Sequence, residues 1–245
     1  QAGTLRNLAE LNGGGALTKS TTGVLLLDTA NSFTGGLTLG PAGGKVIVGH
    51  NNALGSGTVT LNSNTLLELA DGITVSNPFV ATAQGNIKTI LLQSGATAAT
   101  YAGNIANNEE TLNLFDLSAG AGGTLTISGI ISSGTPASGV DKIGAGTVIL
   151  SGANSYTGTT TVSEGKLVVS SLGDGVAASS LGTAGLAPAN LVFGTGTTLG
   201  YAGAGETSGR GFTMSSSATL EAAGTGALAF TSAAKVAFAN STVTR

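Results

Sequence analysis

The chain has no cysteine and no tryptophan, a single histidine, a single methionine and only 4 prolines among 245 residues; aromatics make up 4% and charged residues 9%. Without cysteine, neither a disulfide nor a thiolate metal site can staple the fold. With so few large side chains a wide globular interior could not be filled, so a narrow core fits better. The sparse charge, net −3, offers no basic stripe, which excludes a nucleic acid or an anionic membrane surface as partner. The longest apolar runs, such as Val24 to Leu27 and Ile90 to Leu92, are far too short for a membrane span. The start, Gln1 to Arg6, has no signal-peptide pattern, and the end, Thr242 to Arg245, has no cap. Both are read as cuts within a larger protein, or as the ends of a mature chain whose targeting segments are gone.

What is abundant is glycine, 41 residues, beside 41% hydrophobic residues. Disordered linkers share the Gly, Ser, Thr and Asn but lack recurrent Val, Ile and Leu runs. The expected state is therefore folded, and the length suits one core or a quasi-linear stack.

A repeat decides between them. Residues 23–35 align without a gap on residues 146–158, so that Gly23, Leu27, Asn31, Thr34 and Gly35 face Gly146, Leu150, Asn154, Thr157 and Gly158, and Phe33 faces Tyr156. The likeness continues through 37–39 against 160–162 and 44–48 against 165–169, then Ala53-Leu54-Gly55 against Ser180-Leu181-Gly182, and 64–66 against 197–199. Short β-branched runs punctuated by Gly, Asn, Ser and Thr are the strand-and-turn signature. Strands are expected at 24–27, 37–39, 45–48, 58–61, 66–69, 73–75, 89–92, 124–127, 147–150, 160–162, 166–169, 191–193, 198–201, 218–221 and 227–231. Spacing alone also admits a sandwich. The connections tip the balance: most are longer than hairpin turns, as 28–36 is, and suit the corners of a solenoid. There, equivalent strands stack about 4.8 Å apart and the core needs only small aliphatic residues. The reading is one continuous all-β unit over 1–245, with related regions at about 19–92 and 142–221, about ten coils and about 50 Å long.

Residues 142–169 carry a Lys, a Gly-x-Gly, a strand ending Leu150-Ser151-Gly152, then Asn154-x-Tyr156-Thr157-Gly158-x-Thr160, then Gly165-x-Leu167. This resembles the autotransporter-associated β-strand repeat, also called the passenger-associated transport repeat. The copy at 19–48 is more divergent, with Leu27-Asp28-Thr29 in place of Leu-Ser-Gly. The resemblance implies a right-handed, single-stranded parallel β-helix in the passenger of a Gram-negative surface protein, where such repeats help the stalk emerge and fold. A structural stalk outside the cell is the expected function; a self-assembling fibre subunit, or an adhesin for glycans or other cells, is the alternative. Partners would be flanking rungs of the same protein, identical subunits end to end, or glycan and cell-surface contacts.

The motif roles are read as structural. Gly35, Gly152, Gly158 and Gly165 suit corners that need positive φ or close backbone approach. Asn31 and Asn154 take the left-handed region or bond a neighbouring corner. Phe33 and Tyr156 cover the turn, with the Tyr156 hydroxyl reaching water. Chemistry is scarce. His50 lacks a second histidine or any cysteine to join it, and is read as a loop residue. Asp116, Asp141 and Asp174 lie far apart in sequence, and Glu109-Glu110 reads as a solvated loop, so no glycosidase-like carboxylate set is apparent, although coils can gather distant residues. Gly120 to Gly123 and Gly173-Asp174-Gly175 are fragments of calcium nonapeptides without the required Asp spacing. No enzyme activity, metal or cofactor is expected.

Overall fold

The computed structural model describes residues 2–10, 13–41, 44–62, 64–82, 87–108, 115–134, 138–215, 217–231 and 235–238. Glu109-Glu110 and the end at 242–245 lie outside the described residues.

Among those residues every strand pairing is parallel, and the strands stack in single file as a β-solenoid. Face 1 has 11 strands: Gly3–Leu5, Val24–Leu27, Gly44–Val48, Thr65–Leu69, Lys88–Leu92, Phe115–Ser118, Val140–Ile143, Thr160–Val162, Leu191–Phe193, Phe212–Met214 and Val236–Phe238. Face 2 has 7: Thr74–Val75, Ala98–Tyr101, Thr124–Ile127, Thr147–Leu150, Lys166–Val169, Thr198–Tyr201 and Thr219–Ala222. Face 3 has 6: Leu17–Lys19, Leu37–Leu39, Val59–Leu61, Phe79–Ala81, Ile105–Asn107 and Ile131–Ser133. Glu206–Ser208 pairs with Leu228–Phe230 in a separate two-stranded sheet. The chain runs from face 1 to face 2 to face 3 and back. Pairing Val140 with Thr160 and Thr160 with Leu191 marks rungs of 20 and 31 residues. The eleven stacked strands of face 1 span about 50 Å at the parallel-strand spacing.

The strands form because alternate residues are inward and apolar. Val46 and Val48, Leu67 and Leu69, Ile90 and Leu92 are fully or almost fully buried in register on face 1, and Leu125 and Ile127 stack on Val148 and Leu150 on face 2. Burying each branched side chain contributes about 1.5–3 kcal/mol. The expectation of a purely small aliphatic interior needs amendment: most of the few aromatics go inside, although Phe238 is exposed. Phe79 packs edge-on to Tyr101 and Phe115 at 5.8 and 5.3 Å, and Phe193, Phe212 and Phe230 follow one another at 5.6 Å.

Not every rung has three strands. Rungs that begin at Gly3, Val24 and Gly44 have loops where face 2 would be, and the rung at Thr147 has a loop where face 3 would be. The loops of the Val24 and Thr147 rungs hold the repeated motif. Its first copy runs from face 1 (24–27) through a loop to face 3 (37–39) and face 1 (44–48). Its second runs from face 2 (147–150) through a loop to face 1 (160–162) and face 2 (166–169). The same module is thus used twice, turned by one face.

Candidate functional site

The motif residues converge on the loop that replaces a strand, and they hold it by bonding to the rungs below and above. Asn31 Oδ1 accepts from Leu8 N at 2.7 Å while its Nδ2 donates to Ala53 O at 2.7 Å. Asn154 does the same with Ile131 N at 2.7 Å and Ser180 O at 2.8 Å. Both are buried, and neither has positive φ. Of the two conformations expected, the left-handed one is absent and each Asn bridges corners as a clamp. Backbone bonds repeat the pattern: Asn31 N to Asn52 O at 3.0 Å matches Asn154 N to Ser179 O at 2.8 Å, and Ser56 N to Phe33 O at 3.0 Å matches Thr183 N to Tyr156 O at 2.8 Å.

Phe33 and Tyr156 are fully buried. The Tyr156 hydroxyl does not reach water: it is 2.7 Å from Thr160 Oγ1 inside the solenoid, and burial pushes its pKa up to about 12. Its apolar contacts require the whole ring to be inside, and Thr160 then satisfies the one polar atom. Thr34 Oγ1 donates to Glu10 at 2.8 Å, and Thr157 N donates to Ser133 Oγ at 3.0 Å, so both threonines tie back one rung. Leu27 and Leu150 end their strands fully buried. Among the glycines, Gly165 has φ of 65°, whereas Gly35, Gly146, Gly152 and Gly158 are places of close approach: a Cβ there would lie 2.2 Å from Gly15 O, 2.0 Å from Gly120 O, 2.4 Å from Gly129 O and 2.4 Å from the Ser138 carbonyl carbon. Gly23 opens the first copy and its carbonyl accepts from Lys45 N at 3.3 Å.

Sequence reasoning counted the lysine that heads each copy as part of the motif but gave it no role. Lys19 and Lys142 are buried. Lys142 Nζ donates to the carbonyls of Ile143 (3.0 Å), Gly144 and Glu164 (2.8 Å), and Lys19 Nζ donates to Thr21 O, the position equivalent to Gly144. Desolvation lowers the pKa of both, that of Lys142 to about 8. Arg210 was missed. It is fully buried, with Nε 2.9 Å from Leu172 O and Nη2 3.3 Å from Gly182 O, while Nη1 has no hydrogen-bond partner among the described residues. Asn77 is its counterpart in the first region, donating to Gly55 O at 3.1 Å and Gly57 O at 2.8 Å. A lone Arg between two glycines carries no periodic signal, so only the fold reveals it.

The carboxylates divide. Asp116 and Asp141 are register partners on neighbouring strands of face 1, which their separation in sequence concealed. Asp141 accepts from Ser163 Oγ at 2.8 Å, and burial raises its pKa. Asp174 belongs elsewhere: it accepts from Gly209 N at 2.7 Å and pins the 172–182 loop, helped by Glu206, which accepts from Leu172 N at 2.8 Å and Gly173 N at 2.6 Å. His50 is exposed, and its Nδ1 accepts from Asn52 N at 3.1 Å, which fixes a loop. Gly120 to Gly123 form a corner with Gly122 at φ of 78°. Among the described residues no group of three or more His, Asp or Glu could hold a metal, and no helix is long and apolar enough to cross a membrane.

What fold and motif define together is a parallel β-solenoid whose repeated residues serve rung-to-rung stacking. Residues 140–169 match the passenger-associated transport repeat family, so the chain takes its place among the proteins that carry that repeat. It is 36% identical over 250 residues to the adhesin BmaC autotransporter of Brucella suis biovar 1 (strain 1330), covering 97% of this chain and 6% of that protein. The chain thus spans a small part of the relative it matches. No solved structure matches it.

Proposed function

We propose that the chain is a non-enzymatic segment of an autotransporter passenger, displayed at the surface of a Gram-negative cell, which extends the passenger and presents an adhesive flank. The observation that carries the reading is the motif itself. Each Asn clamp ties a loop to both neighbouring rungs, so a newly emerged rung gains its burial and hydrogen bonds from the rung before it, the condition for stepwise folding during export. The relative is named an adhesin, which supports the adhesive part.

Two measurements test the parts separately. Native-state hydrogen exchange on chains shortened by one whole rung at either end should leave protection of the remaining rungs nearly intact; loss of protection throughout would remove the stepwise-folding role. Beads coated with the chain should attach saturably to host cells or extracellular matrix and be displaced by soluble chain; failure to attach leaves a spacer alone. Electron microscopy would show dispersed monomers for a passenger segment, and uniform long filaments for the fibre reading.

A further inference from the structure

We propose that a polar groove crossing the first four rungs, of which the first three have a loop in place of face 2, is a binding site for a linear, uncharged oligosaccharide. Two depressions, each about 370 Å³, meet at Asn52: one is lined by Asn7, Ala30, Asn31 and Ser32, the other by Asn51, Ser56, Thr74, Ser76, Asn77 and Pro78, among others. They adjoin at Asn52 as open depressions on neighbouring rungs.

Three properties point to a sugar. First, the lining residues carry no charge, which leaves anionic glycans and peptides of either sign without an ionic partner. Second, the groove has donors and acceptors to spare. The side chains of Asn7, Ser32, Asn52, Ser56 and Ser76 are exposed and have no partner among the described residues, and Asn51 uses only Oδ1, accepting from Thr74 N at 2.9 Å. These groups recur rung by rung at about 4.8 Å, close to the length of one pyranose unit in an extended chain. Third, the walls are fixed before any ligand arrives. Asn31 N is bonded to Asn52 O, Ser32 N to Leu8 O, Ser56 N to Phe33 O, and Asn77 Nδ2 to Gly55 O and Gly57 O. Preorganised polar side chains around a cleft bind hydroxyl-rich ligands with little ordering cost. The same bonds occupy the backbone, so the groove offers no open strand edge to an extended peptide. Pro78, exposed at the rim, supplies an apolar ring face for the C–H side of a pyranose.

The proposal deepens the adhesive reading and takes its biological setting from it, but the binding is measured on its own. The 245-residue chain is applied to an array of neutral, sialylated and sulfated oligosaccharides, and hits are titrated by calorimetry against the native chain, Asn52→Ala, Ser76→Trp and, on face 2, Thr126→Ala. The expected result is selective binding of neutral linear chains, weakened about tenfold by Asn52→Ala, abolished by Ser76→Trp, and unchanged by Thr126→Ala, with thermal unfolding of all four alike. The Asn52 side chain makes no internal bond, so its truncation leaves the fold intact even where the Trp variant does not. No binding up to roughly millimolar sugar, preference for anionic glycans, or equal binding by Asn52→Ala and the native chain would overturn the site. Attachment of coated beads to cells that persists in Asn52→Ala and Ser76→Trp would leave adhesion standing and the groove without a role.

Discussion

The two copies of the motif share a skeleton and differ in the rung stacked on it. In the first, the next rung returns by the short loop 49–57, and the side chains of Asn51, Asn52 and Ser56 are left facing outward. In the second, the next rung carries the long excursion 170–190, whose polar groups are spent on itself: Ser180 Oγ accepts from Ser170 N at 3.2 Å and Ser171 N at 3.3 Å, Ser179 Oγ donates to Gly182 O at 2.8 Å, and Glu206, the Gly209 amide (to Asp174) and Arg210 fasten it from the rung above. Identical clamps therefore support an open polar groove in one region and a sealed loop in the other. The clamp sets the stacking, and the loop above it sets what the surface can do.

If the clamps are equivalent, removing either should cost nearly the same, and this is the largest effect expected. Asn154→Ala strands the Ile131 amide and the Ser180 carbonyl inside the solenoid, and at about 1–3 kcal/mol for each unsatisfied buried group the loss should be about 2–6 kcal/mol. Asn31→Ala strands the Leu8 amide and the Ala53 carbonyl; Leu8 is only half-buried, so its loss should fall at the lower end of that range. Denaturant unfolding of the two variants measures both. A loss below about 0.5 kcal/mol at Asn154 would deny the clamp its role.

The buried lysines sharpen the comparison next, through pH. The folded pKa of Lys142, about 8, lies below its unfolded value because burial penalises the ammonium. Between about pH 8 and the ordinary lysine range the unfolded chain binds more protons, so stability should rise with pH across that window and be flat in this respect below it. Lys142→Met removes the rise and leaves three carbonyls without their donor, for a net loss of about 1–3 kcal/mol at pH 7. Thermal unfolding of both proteins from pH 6 to 10.5 checks the slope; an unchanged slope in the variant would assign it to another group.

Much of this was legible in the sequence, and the part that was not has a physical reason. The strands at 24–27, 37–39, 124–127, 147–150, 160–162, 166–169, 191–193 and 198–201 were readable because each has two or more branched or aromatic residues at period two. Ala98–Tyr101, Ile105–Asn107, Ile131–Ser133 and Glu206–Ser208 went unread because they are rich in Ala, Ser, Thr and Asn, while Phe79–Ala81, Phe115–Ser118, Val140–Ile143 and Phe212–Met214 went unread because runs of three or four residues carry little periodicity; stacking on a neighbouring rung makes all of them strands. The motif positions announced themselves by repetition, whereas the direction of a side chain did not. Nothing in Tyr156 says that its hydroxyl finds Thr160, because that depends on how the corner between them turns the ring inward, nor in Asp116 that it lies beside Asp141, because that depends on the number of residues in a rung.

A smaller effect is expected at Asp141, which has no counterpart in the first copy. Burial holds its folded pKa above the ordinary carboxylate range, so its contribution is fully present below the unfolded pKa and is lost as pH rises through the folded one. Asp141→Asn keeps an acceptor for the Ser163 hydroxyl and removes the buried charge. The variant should melt higher than the native chain at pH 7 and converge with it in acid. A variant that melts lower at pH 7 would mean that the carboxylate has an ionic partner which outweighs its desolvation.

The smallest effect concerns the lysine after the corner glycine in each copy. Lys45 pairs with Glu68 on the next rung at 2.7 Å, while Lys166 reaches Glu221 two rungs on at 2.8 Å, passing over Gly200. Both pairs are partly solvated, which limits each to about 0–1 kcal/mol and makes it sensitive to salt. They are not equal, however. Glu68 is almost wholly buried and cannot be left without its partner as cheaply as the half-exposed Glu221. Lys45→Ala should therefore cost more than Lys166→Ala, and the difference should persist in roughly molar salt, where the Lys166 pair has lost its value. Equal losses at high salt would mean that water reaches Glu68 once Lys45 is gone, and that the outer surface of face 1 is as open in the first copy as face 2 is in the second.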